Sequence, residues 1–401
     1  MNLNRPLGIL ALATLAACFG GCNQTGRETR NAILAYDSGD YAQAAAMIKP
    51  STGKLDENFV LNNCRYGSAA LAAGQFEEAE HAFYEAHKVI DSGDTNDAGR
   101  QLQATVVYEG VKVWKGEPFE RAMTGYYLGM LFCMKHDYGN ARAAFQNSLF
   151  SIRENAKKDD LEHYAAVESR FALGYFGVGY ANLRLPSPRP DLAKENFDKA
   201  VKYDPSLAPL IAEVQRPGVN TLIFIDAGRG PRKAARGWYN EESVFGPTPQ
   251  EVGPIMPPVA LIDGRPVTRP NFNYSTVDTL AMAQDHRWMD IDTIKKVKAV
   301  IGTGAMAAGA GMTAYGANRN DKGFMIAGIG TMLAGAALSA SSQSDTRYWE
   351  FLPRTVYIIP ATLNPGQHEV VVSAGPSRSS PVTMTAEPQA GGDYIFYFRL
   401  R

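Results

Sequence analysis

A serine and a lysine with S-x-x-K spacing, Ser51 and Lys54, are the first residues of the chain whose types and spacing suggest an active site. In penicillin-recognising enzymes such a serine is the nucleophile, and those enzymes also carry S-x-N and K-T-G motifs, which this sequence lacks. We therefore interpret the spacing as coincidence. Because G-x-S-x-G and P-loop motifs are absent as well, we predict that the protein is not an enzyme.

The histidines do not have the spacing of a metal site. His81 and His87 flank Glu85 on one predicted helix, but a six-residue spacing places the two histidines on different faces, and H-E-x-x-H is absent. The Gly228-Arg229-Gly230 run lacks the third glycine that would open a nucleotide-binding helix. We predict neither a metal nor a cofactor. A solvated basic loop, rather than an anion site, is the interpretation of Arg229, Arg232, Lys233 and Arg236.

Two cysteines near the N-terminus have the surroundings of an acylation site. Residues 1–22 contain Arg5, then a charge-free apolar run over residues 7–17 that is too short to span a bilayer. Small residues precede both Cys18 and Cys22, as in a lipobox, whose cysteine thiol takes the diacylglyceryl group. Leucine three residues before Cys18 favours that position, and Cys22 is the alternative.

This N-terminus predicts a lipid-anchored protein of the bacterial envelope. Several acyl chains on one cysteine give a stable membrane attachment, and the polar residues 23–30 are expected to form a tether. No aspartate follows either cysteine, which favours the outer membrane, with the protein facing the periplasm. An ordinary secretory signal that happens to contain cysteines is the other interpretation.

Composition limits the rest of the answer. With 401 residues, of which 45% are hydrophobic and 20% charged, the chain is long enough for two or three globular domains. A net charge of −1 argues against nucleic acid as a partner, because such binding needs a basic face. Cys64 and Cys133, the remaining cysteines, are interpreted as buried small hydrophobic residues, with a disulfide between them as the alternative.

Internal repeats organise residues 31–210. Each unit predicts a helical hairpin with a small residue where the two helices cross and aromatic residues beside it, which is the pattern of tetratricopeptide repeats. The repeated residues are Gly39, Tyr41, Ala44 and Ile48 in the first unit, Gly67, Gly74, Phe76, Ala79, Phe83 and Ala86 in the second, Gly129, Tyr138, Ala141 and Phe145 in the third, and Ala181, Ala193, Phe197 and Ala200 in the fourth, which ends at Pro205.

The spacing between these units is irregular, since Ala79 and Ala141 are farther apart than two strict tandem repeats would allow. We therefore expect extra helices around residues 99–114 and 159–171. An unrelated bundle of amphipathic helices is the alternative to a degenerate tetratricopeptide-like α-solenoid.

Residues 211–401 read as a smaller β-rich domain, so the predicted fold class is α+β. Apolar runs bounded by Pro and Gly predict strands that could form a small sandwich. These strands are expected at residues 221–226, 259–262, 354–359, 369–374, 381–386 and 393–400.

A helix is predicted over residues 276–298, followed by an Ala/Gly-rich hairpin over residues 299–340. The two halves of that hairpin are charge-free and close to the length of a membrane span. Small residues at helical spacing would let two helices pack closely. A buried hairpin in a soluble domain is favoured, because Ala and Gly gain little from transfer into lipid; membrane insertion is the alternative.

A nine-residue run before the strand at 354–359 resembles a motif of a known family. Asp345-Thr346-Arg347-x-Trp349, followed by Leu352-Pro353, is similar to a stretch of uncharacterised bacterial envelope lipoproteins with tetratricopeptide-containing N-terminal halves. Members are often described beside lipoproteins that activate peptidoglycan synthases, so the resemblance implies a setting in envelope assembly and no catalysis. From the residue types alone, Asp345, Arg347 and Trp349 are interpreted as an ion pair with an aromatic anchor rather than as a ligand site.

Two functions follow from these features. The first is an adaptor whose helical array binds envelope proteins or peptide segments while the lipid holds it at the membrane. The second is an envelope-remodelling factor whose Ala/Gly-rich hairpin inserts into a membrane or oligomerises.

Overall fold

A computed structural model describes residues 26–91, 113–153, 171–236, 242–249, 255–284, 331, 345–375, 377–378, 382–386 and 393–400. Both candidate lipidation sites, Cys18 and Cys22, lie outside these residues. Most of the residues around 99–114 and 159–171, where extra helices are expected, also lie outside them. So does the predicted hairpin over residues 299–340, apart from Thr331.

The protein is an α+β protein in which most of the described helices precede the strands. Among the described residues before residue 204, eight helices form four hairpins, and each of these hairpins packs against the next one described. The hairpins are α1 (Arg27–Ser38) with α2 (Tyr41–Thr52), α3 (Phe59–Ala72) with α4 (Phe76–Asp91), α5 (Pro118–Met134) with α6 (Tyr138–Arg153), and α7 (Ala172–Arg184) with α8 (Pro190–Tyr203). We call α1, α3, α5 and α7 the first helices, and α2, α4, α6 and α8 the second helices.

Glycine at the crossing points lets the two helices of a hairpin approach closely. A Cβ atom on Gly67 would lie 2.8 Å from the ring of Phe83, and one on Gly129 would lie 2.6 Å from the ring of Phe145. Both distances are too short for a real Cβ contact, so the aromatic ring of the second helix occupies the space that a side chain on the first helix would need.

The helical region extends past the boundary predicted at residue 210. A 3₁₀ turn (Pro205–Leu207) leads directly into α9 (Ala208–Val214). Pro209 does not end the helical region, because it lies in the first turn of α9, where a proline costs no hydrogen bond. The change of character therefore falls after Val214.

Eleven strands form three sheets in the described residues. In the first sheet β1 (Thr221–Ala227) lies between β11 (Tyr394–Leu400), to which it is parallel, and β7 (Thr355–Ala361), to which it is antiparallel; β6 (Ser275–Asp278) pairs with the other edge of β7. The other two sheets are β10-β8-β4-β5, with β9 also on β8, and the ribbon β2-β3. Their strands are β2 (Arg232–Arg236), β3 (Glu242–Gly246), β4 (Val259–Ile262), β5 (Arg265–Pro266), β8 (Gly366–Ala374), β9 (Ser377–Arg378) and β10 (Val382–Ala386).

The helix predicted over residues 276–298 begins later than the sequence indicated. Thr276 and Val277 lie in β6, because their β-branched side chains suit a strand and β7 offers an edge to pair with. The carboxylate of Asp278 then accepts hydrogen bonds from the N–H groups of Leu280 and Ala281, so α10 (Thr279–Ala283) starts there. Residues 285–298 lie outside the described residues.

One hydrophobic core runs from the helices into the sheets. The first helices α3, α5 and α7 are buried almost all round, whereas the second helices bury one face. Since β1 and β7 are buried along their whole length, the first sheet must cover part of the array. Among the described helices, none is both long and apolar enough to cross a membrane.

Candidate functional site

Residues 345–353, the motif segment, lie across the first helices and connect the helical array to the first sheet. The described first helices all contribute a polar contact to the C-terminal region that contains this segment. These contacts are Tyr36 of α1 with the carbonyl of Phe351, Arg65 of α3 with Glu350, Glu120 of α5 with the N–H of Trp349, and Tyr180 and Arg184 of α7 with Asp393.

Trp349 is the aromatic anchor of the motif segment. Its side chain is 1% exposed and lies near the rings of Phe83 and Tyr127, each with a centroid distance of 5.8 Å. The indole N–H donates to the hydroxyl of Ser68 at 3.0 Å. Burying an indole contributes strongly to stability when its N–H finds a partner, as it does here.

Glu120 holds the backbone of the segment. One carboxyl oxygen accepts from the N–H of Trp349 at 2.6 Å, and the other accepts from the N–H of Glu117 at 2.7 Å, which completes the capping box of α5. Burial raises the pKa of Glu120 to about 8, although these two hydrogen bonds and the nearby Lys233 act in the opposite direction. The carboxyl is therefore largely protonated at neutral pH.

Two arginines link the segment to the array, Arg65 from α3 and Arg347 from the segment itself. Arg65 donates from Nε and Nη2 to the two carboxylate oxygens of Glu350, at 2.7 and 2.6 Å, in a fork with little solvent access. Arg347 pairs with Asp345 at 2.6 Å and also donates to the carbonyl of Glu57 at 2.8 Å. The pKa of Asp345 is lowered because its hydrogen bonds with Arg347 outweigh the effect of burial.

A second buried cluster surrounds Asp226 at the end of β1. Its Oδ2 accepts from the hydroxyls of Tyr127 at 2.6 Å and Tyr397 at 2.8 Å. Burial raises the pKa of Asp226 to about 6, which Arg399 partly offsets. Arg399 is itself buried and donates to the hydroxyl of Tyr36 and to backbone carbonyls, so it joins α1 to β11.

A third cluster fixes the start of β11 against the last two hairpins. The carboxylate of Asp393 accepts from Tyr180 and Arg184, and its carbonyl lies 2.8 Å from Nε2 of His136. Burial raises the pKa of Tyr180 well above its usual value. The hydroxyl therefore stays protonated and acts as a donor.

Most of the repeat residues lie in the hydrophobic core. The buried ones include Ala44, Ala79, Phe83, Ala86, Tyr138, Ala141, Phe145, Ala193, Phe197 and Ala200. Phe76 is 42% exposed, because it is the first residue of α4 and stands beyond the contact between the two helices. Gly39 and Gly74 adopt positive φ in the turns, a conformation that glycine adopts without strain.

The residues of the family motif pack against the array or against each other. Asp345 pairs with Arg347, Trp349 lies near the rings of Phe83 and Tyr127, and Leu352 is buried. The carbonyl of Pro353 accepts from the hydroxyl of Thr279 at 2.6 Å. Thr346 also has a partner.

Most residues that hold the C-terminal region against the array could not be identified from the sequence. Arg65 and Glu350 are 285 positions apart, and Tyr180 and Asp393 are 213 apart, so no local pattern links them. Glu120 is different, because a proline at the start of a helix and an acidic residue in its first turn are helix-start signals readable from the sequence, and Pro118 and Glu120 supply them.

The chemistry that these groups support is recognition by hydrogen bonds and ion pairs. Cys64 and Cys133 are buried and form no disulfide. Burial raises the pKa of Cys64 to about 12, which keeps its thiol protonated and unreactive.

The four basic residues Arg229, Arg232, Lys233 and Arg236 do not all lie in a solvated loop, as the sequence indicated. Lys233 lies in β2, where it is buried and pairs with Glu117 at 2.5 Å. Within the described ranges, no three His, Cys, Asp or Glu side chains lie close enough to hold a metal ion.

Comparison with known proteins adds no assignment. No protein-family model matches the chain, and no curated protein matches it either.

Proposed function

We propose that the protein is a lipid-anchored envelope protein that faces the periplasm from the outer membrane and binds other envelope proteins through a tetratricopeptide-type array. The array type is supported by the helical hairpins, in three of which a glycine of the first helix lies against an aromatic ring of the second, namely Gly67 against Phe83, Gly129 against Phe145 and Gly179 against Phe197. The resemblance of residues 345–353 to the lipoprotein motif supports a setting in envelope assembly.

The observation that carries the adaptor role is the motif segment on the first helices. The array holds this segment with an anchored indole, a carboxyl on its backbone and an arginine fork. Helical grooves bind segments of other proteins through the same kinds of contact. Because the chain itself covers α3, α5 and α7, the proposed surface for a partner is the outward side of the second helices.

Two of the exposed apolar side chains on the second helices serve as test positions on this surface. Tyr84 on α4 is 50% exposed and Leu192 on α8 is 39% exposed. Large exposed aromatic residues are frequent centres of protein interfaces. Val259 on β4 is 41% exposed and serves as a control outside the array.

Site-specific photocrosslinking in intact cells tests the adaptor proposal. With a photoreactive amino acid at Tyr84 or Leu192, we expect one and the same envelope protein to be crosslinked at both positions, and not at Val259. The proposal is wrong if no discrete crosslink forms at the array positions, or if all three positions give the same products.

The lipid anchor is tested separately by mass spectrometry of the mature N-terminal peptide. We expect an acylated Cys18, and loss of the protein from the membrane fraction in Cys18→Ser. If Cys22→Ser releases the protein instead, Cys22 carries the lipid. Membrane attachment that survives the double substitution would contradict the anchor.

A further inference from the structure

The outward side of α1 is exposed along the length of the helix. With 3.6 residues per turn, its exposed residues span roughly 100° around the helix axis. They are Arg27, Arg30, Asn31, Leu34 and Ser38, and we call this surface the α1 face. Ala32 and Tyr36, on the other side of the helix, are buried in the core. Within the ranges that the structure describes, the side chains of Arg27 and Arg30 form no hydrogen bond and no ion pair.

The α1 face combines two positive charges with an exposed leucine. Leu34 is 62% exposed and follows Arg30 by about one turn. Arg27 and Arg30 are the first and fourth residues of the helix, where the positive end of the helix dipole disfavours a positive charge. Helix stability therefore does not explain the arginines, and core packing does not explain the leucine. Basic and apolar residues together are the composition of a helix surface that meets a membrane interface.

The acidic residues of α1 do not neutralise this face. Glu28 lies about 100° from Arg27 around the helix axis, on the side of the buried Ala35. Asp37 lies on the opposite flank, where its carboxylate is 3.5 Å from the guanidinium of Arg229. The α1 face therefore keeps its positive charge.

The position of α1 in the chain places this face close to the proposed lipid anchor, and this step rests on the proposed function. Arg27 follows Cys22 by five residues and Cys18 by nine. These stretches span at most about 18 Å or about 32 Å, whatever their conformation. The start of α1 is therefore held near the bilayer, where a high local concentration makes weak contacts effective.

We propose that the α1 face docks on the surface of the bilayer that holds the anchor, with anionic phospholipid as its ligand. Arg27 and Arg30 bind phosphate groups, because a guanidinium can donate two parallel hydrogen bonds to phosphate oxygens. Leu34 enters the boundary between headgroups and acyl chains. Each basic residue near an anionic surface strengthens binding roughly fivefold. Docking turns the first hairpin toward the membrane and the fourth hairpin away from it.

Photocrosslinking to lipid in intact cells tests the proposal. A diazirine-bearing amino acid replaces Leu34 in the full chain, and mass spectrometry of the purified protein detects phospholipid adducts. We expect a phospholipid adduct at position 34. The same amino acid in place of Leu192, which is 39% exposed on α8, should give at least about tenfold less adduct, because the fourth hairpin lies away from the bilayer.

Charge reversal shows whether the adduct reports docking or only proximity to the anchor. Arg27→Glu/Arg30→Glu should lower the adduct at position 34 by about tenfold or more, because two attractions become repulsions. The matched control Lys194→Glu/Lys202→Glu makes the same change of net charge on α8 and should leave the adduct unchanged. All four substituted residues are exposed, so both variants should fold, which circular dichroism checks. If the charge-reversed variant does not fold, Arg27→Gln/Arg30→Gln takes its place, with a severalfold loss expected.

Each result decides the proposal. It is overturned if position 34 gives no lipid adduct or a protein adduct instead, if positions 34 and 192 give equal adducts, or if charge reversal leaves the adduct unchanged. Analysis of the N-terminal peptide in the same sample separates this proposal from the anchor. An acylated peptide without a lipid adduct at position 34 means that the anchor is right and the docking wrong. A charge-dependent adduct on a chain without acylation means the reverse, and the absence of both contradicts both.

Discussion

Glu120 uses one carboxyl group both to cap α5 and to hold the backbone of Trp349. Its protonated form is favoured in the folded state, because burial raises its pKa from 4.5 to about 8. The unfolded chain loses this proton at lower pH than the folded chain does. The stability from this group is therefore complete below about pH 4.5 and is lost as the pH rises through 8.

Substitution of Glu120 with Gln tests this linkage. Glutamine keeps an oxygen that accepts from Trp349, but it carries no charge at any pH. Between pH 6.5 and 8.5 we expect the natural protein to lose about 2 kcal/mol more unfolding free energy than Glu120→Gln does, from the pKa difference. Asp226, with a pKa of about 6, contributes little in this window. Urea unfolding at the two pH values measures the difference, and equal losses in both proteins would contradict the assignment.

His368 allows a second test at the level of a single residue. Its Nδ1 lies 2.7 Å from a carboxylate oxygen of Asp263, and its Nε2 lies 2.7 Å from the carbonyl of Asn364. Both partners are acceptors, so only the doubly protonated ring donates to both. The hydrogen bond with Asp263 raises the pKa of His368 above 6.5.

The Asp263→Asn variant should bring the pKa of His368 back toward 6.5, because the charged acceptor is lost. Titration of the ring protons by NMR measures this value in both proteins. An unchanged titration curve would mean that Asp263 does not set it.

At the scale of elements, the crossing glycines determine how closely the helices of a hairpin pack. A Cβ on Gly67 would lie 2.8 Å from Phe83, whereas Gly53, at the end of α2, has negative φ and no neighbour within 4 Å of such an atom. Gly67→Ala should cost about 1–3 kcal/mol of unfolding free energy through overpacking. Gly53→Ala should be neutral or stabilising by up to about 1 kcal/mol.

Thermal or urea unfolding distinguishes these two variants. When Phe83 is replaced by Leu, the smaller side chain leaves room for a methyl group on residue 67. Gly67→Ala should therefore cost less unfolding free energy in the Phe83→Leu variant than in the natural protein. If the two alanine variants have the same stability, the close approach of α3 and α4 does not limit packing.

The same elements indicate how far the sequence could predict the fold. Strands β1 and β4 lie within one residue of their predicted bounds, because Pro and Gly turns bound short apolar runs and the Asp263-Gly264 turn has positive φ at both residues. Pairing was not predictable: β1, β7 and β11 share one sheet while β4 and β8 share another, since strand partners depend on contacts that no local pattern encodes. A helix rather than β6 was predicted from residue 276, since the partner strand β7 is remote in sequence and no local pattern indicates the pairing.

The candidate site was predictable only at its conspicuous residues. Trp349 and Arg347 could be identified by their residue types. Arg65 and Tyr180 could not be distinguished from other helix residues, because their partners Glu350 and Asp393 are remote in sequence. Coverage of α3, α5 and α7 by the chain itself was not foreseen. This finding moves the proposed partner surface to the second helices.

At the scale of the whole molecule, array and sheets share one core. The buried residues form a continuous cluster from Ala32 in α1 to Leu400 in β11. Trp349 lies where the second hairpin, the third hairpin and the segment before β7 meet. Because one core joins the array to the sheets, damage at this point should be felt on both sides of it.

Trp349→Ala tests this cooperativity. Loss of the buried indole should cost about 3–5 kcal/mol of unfolding free energy, whereas Tyr84→Ala, at an aromatic residue that is 50% exposed, should change stability by less than about 1 kcal/mol. Hydrogen exchange measured by mass spectrometry should show weaker protection in α3, α5 and β1 together in Trp349→Ala, because all three belong to the core that the indole joins. Faster exchange confined to β1 and β7, with α3 and α5 unchanged, would mean that the array is stable by itself and that the sheets are an addition to it.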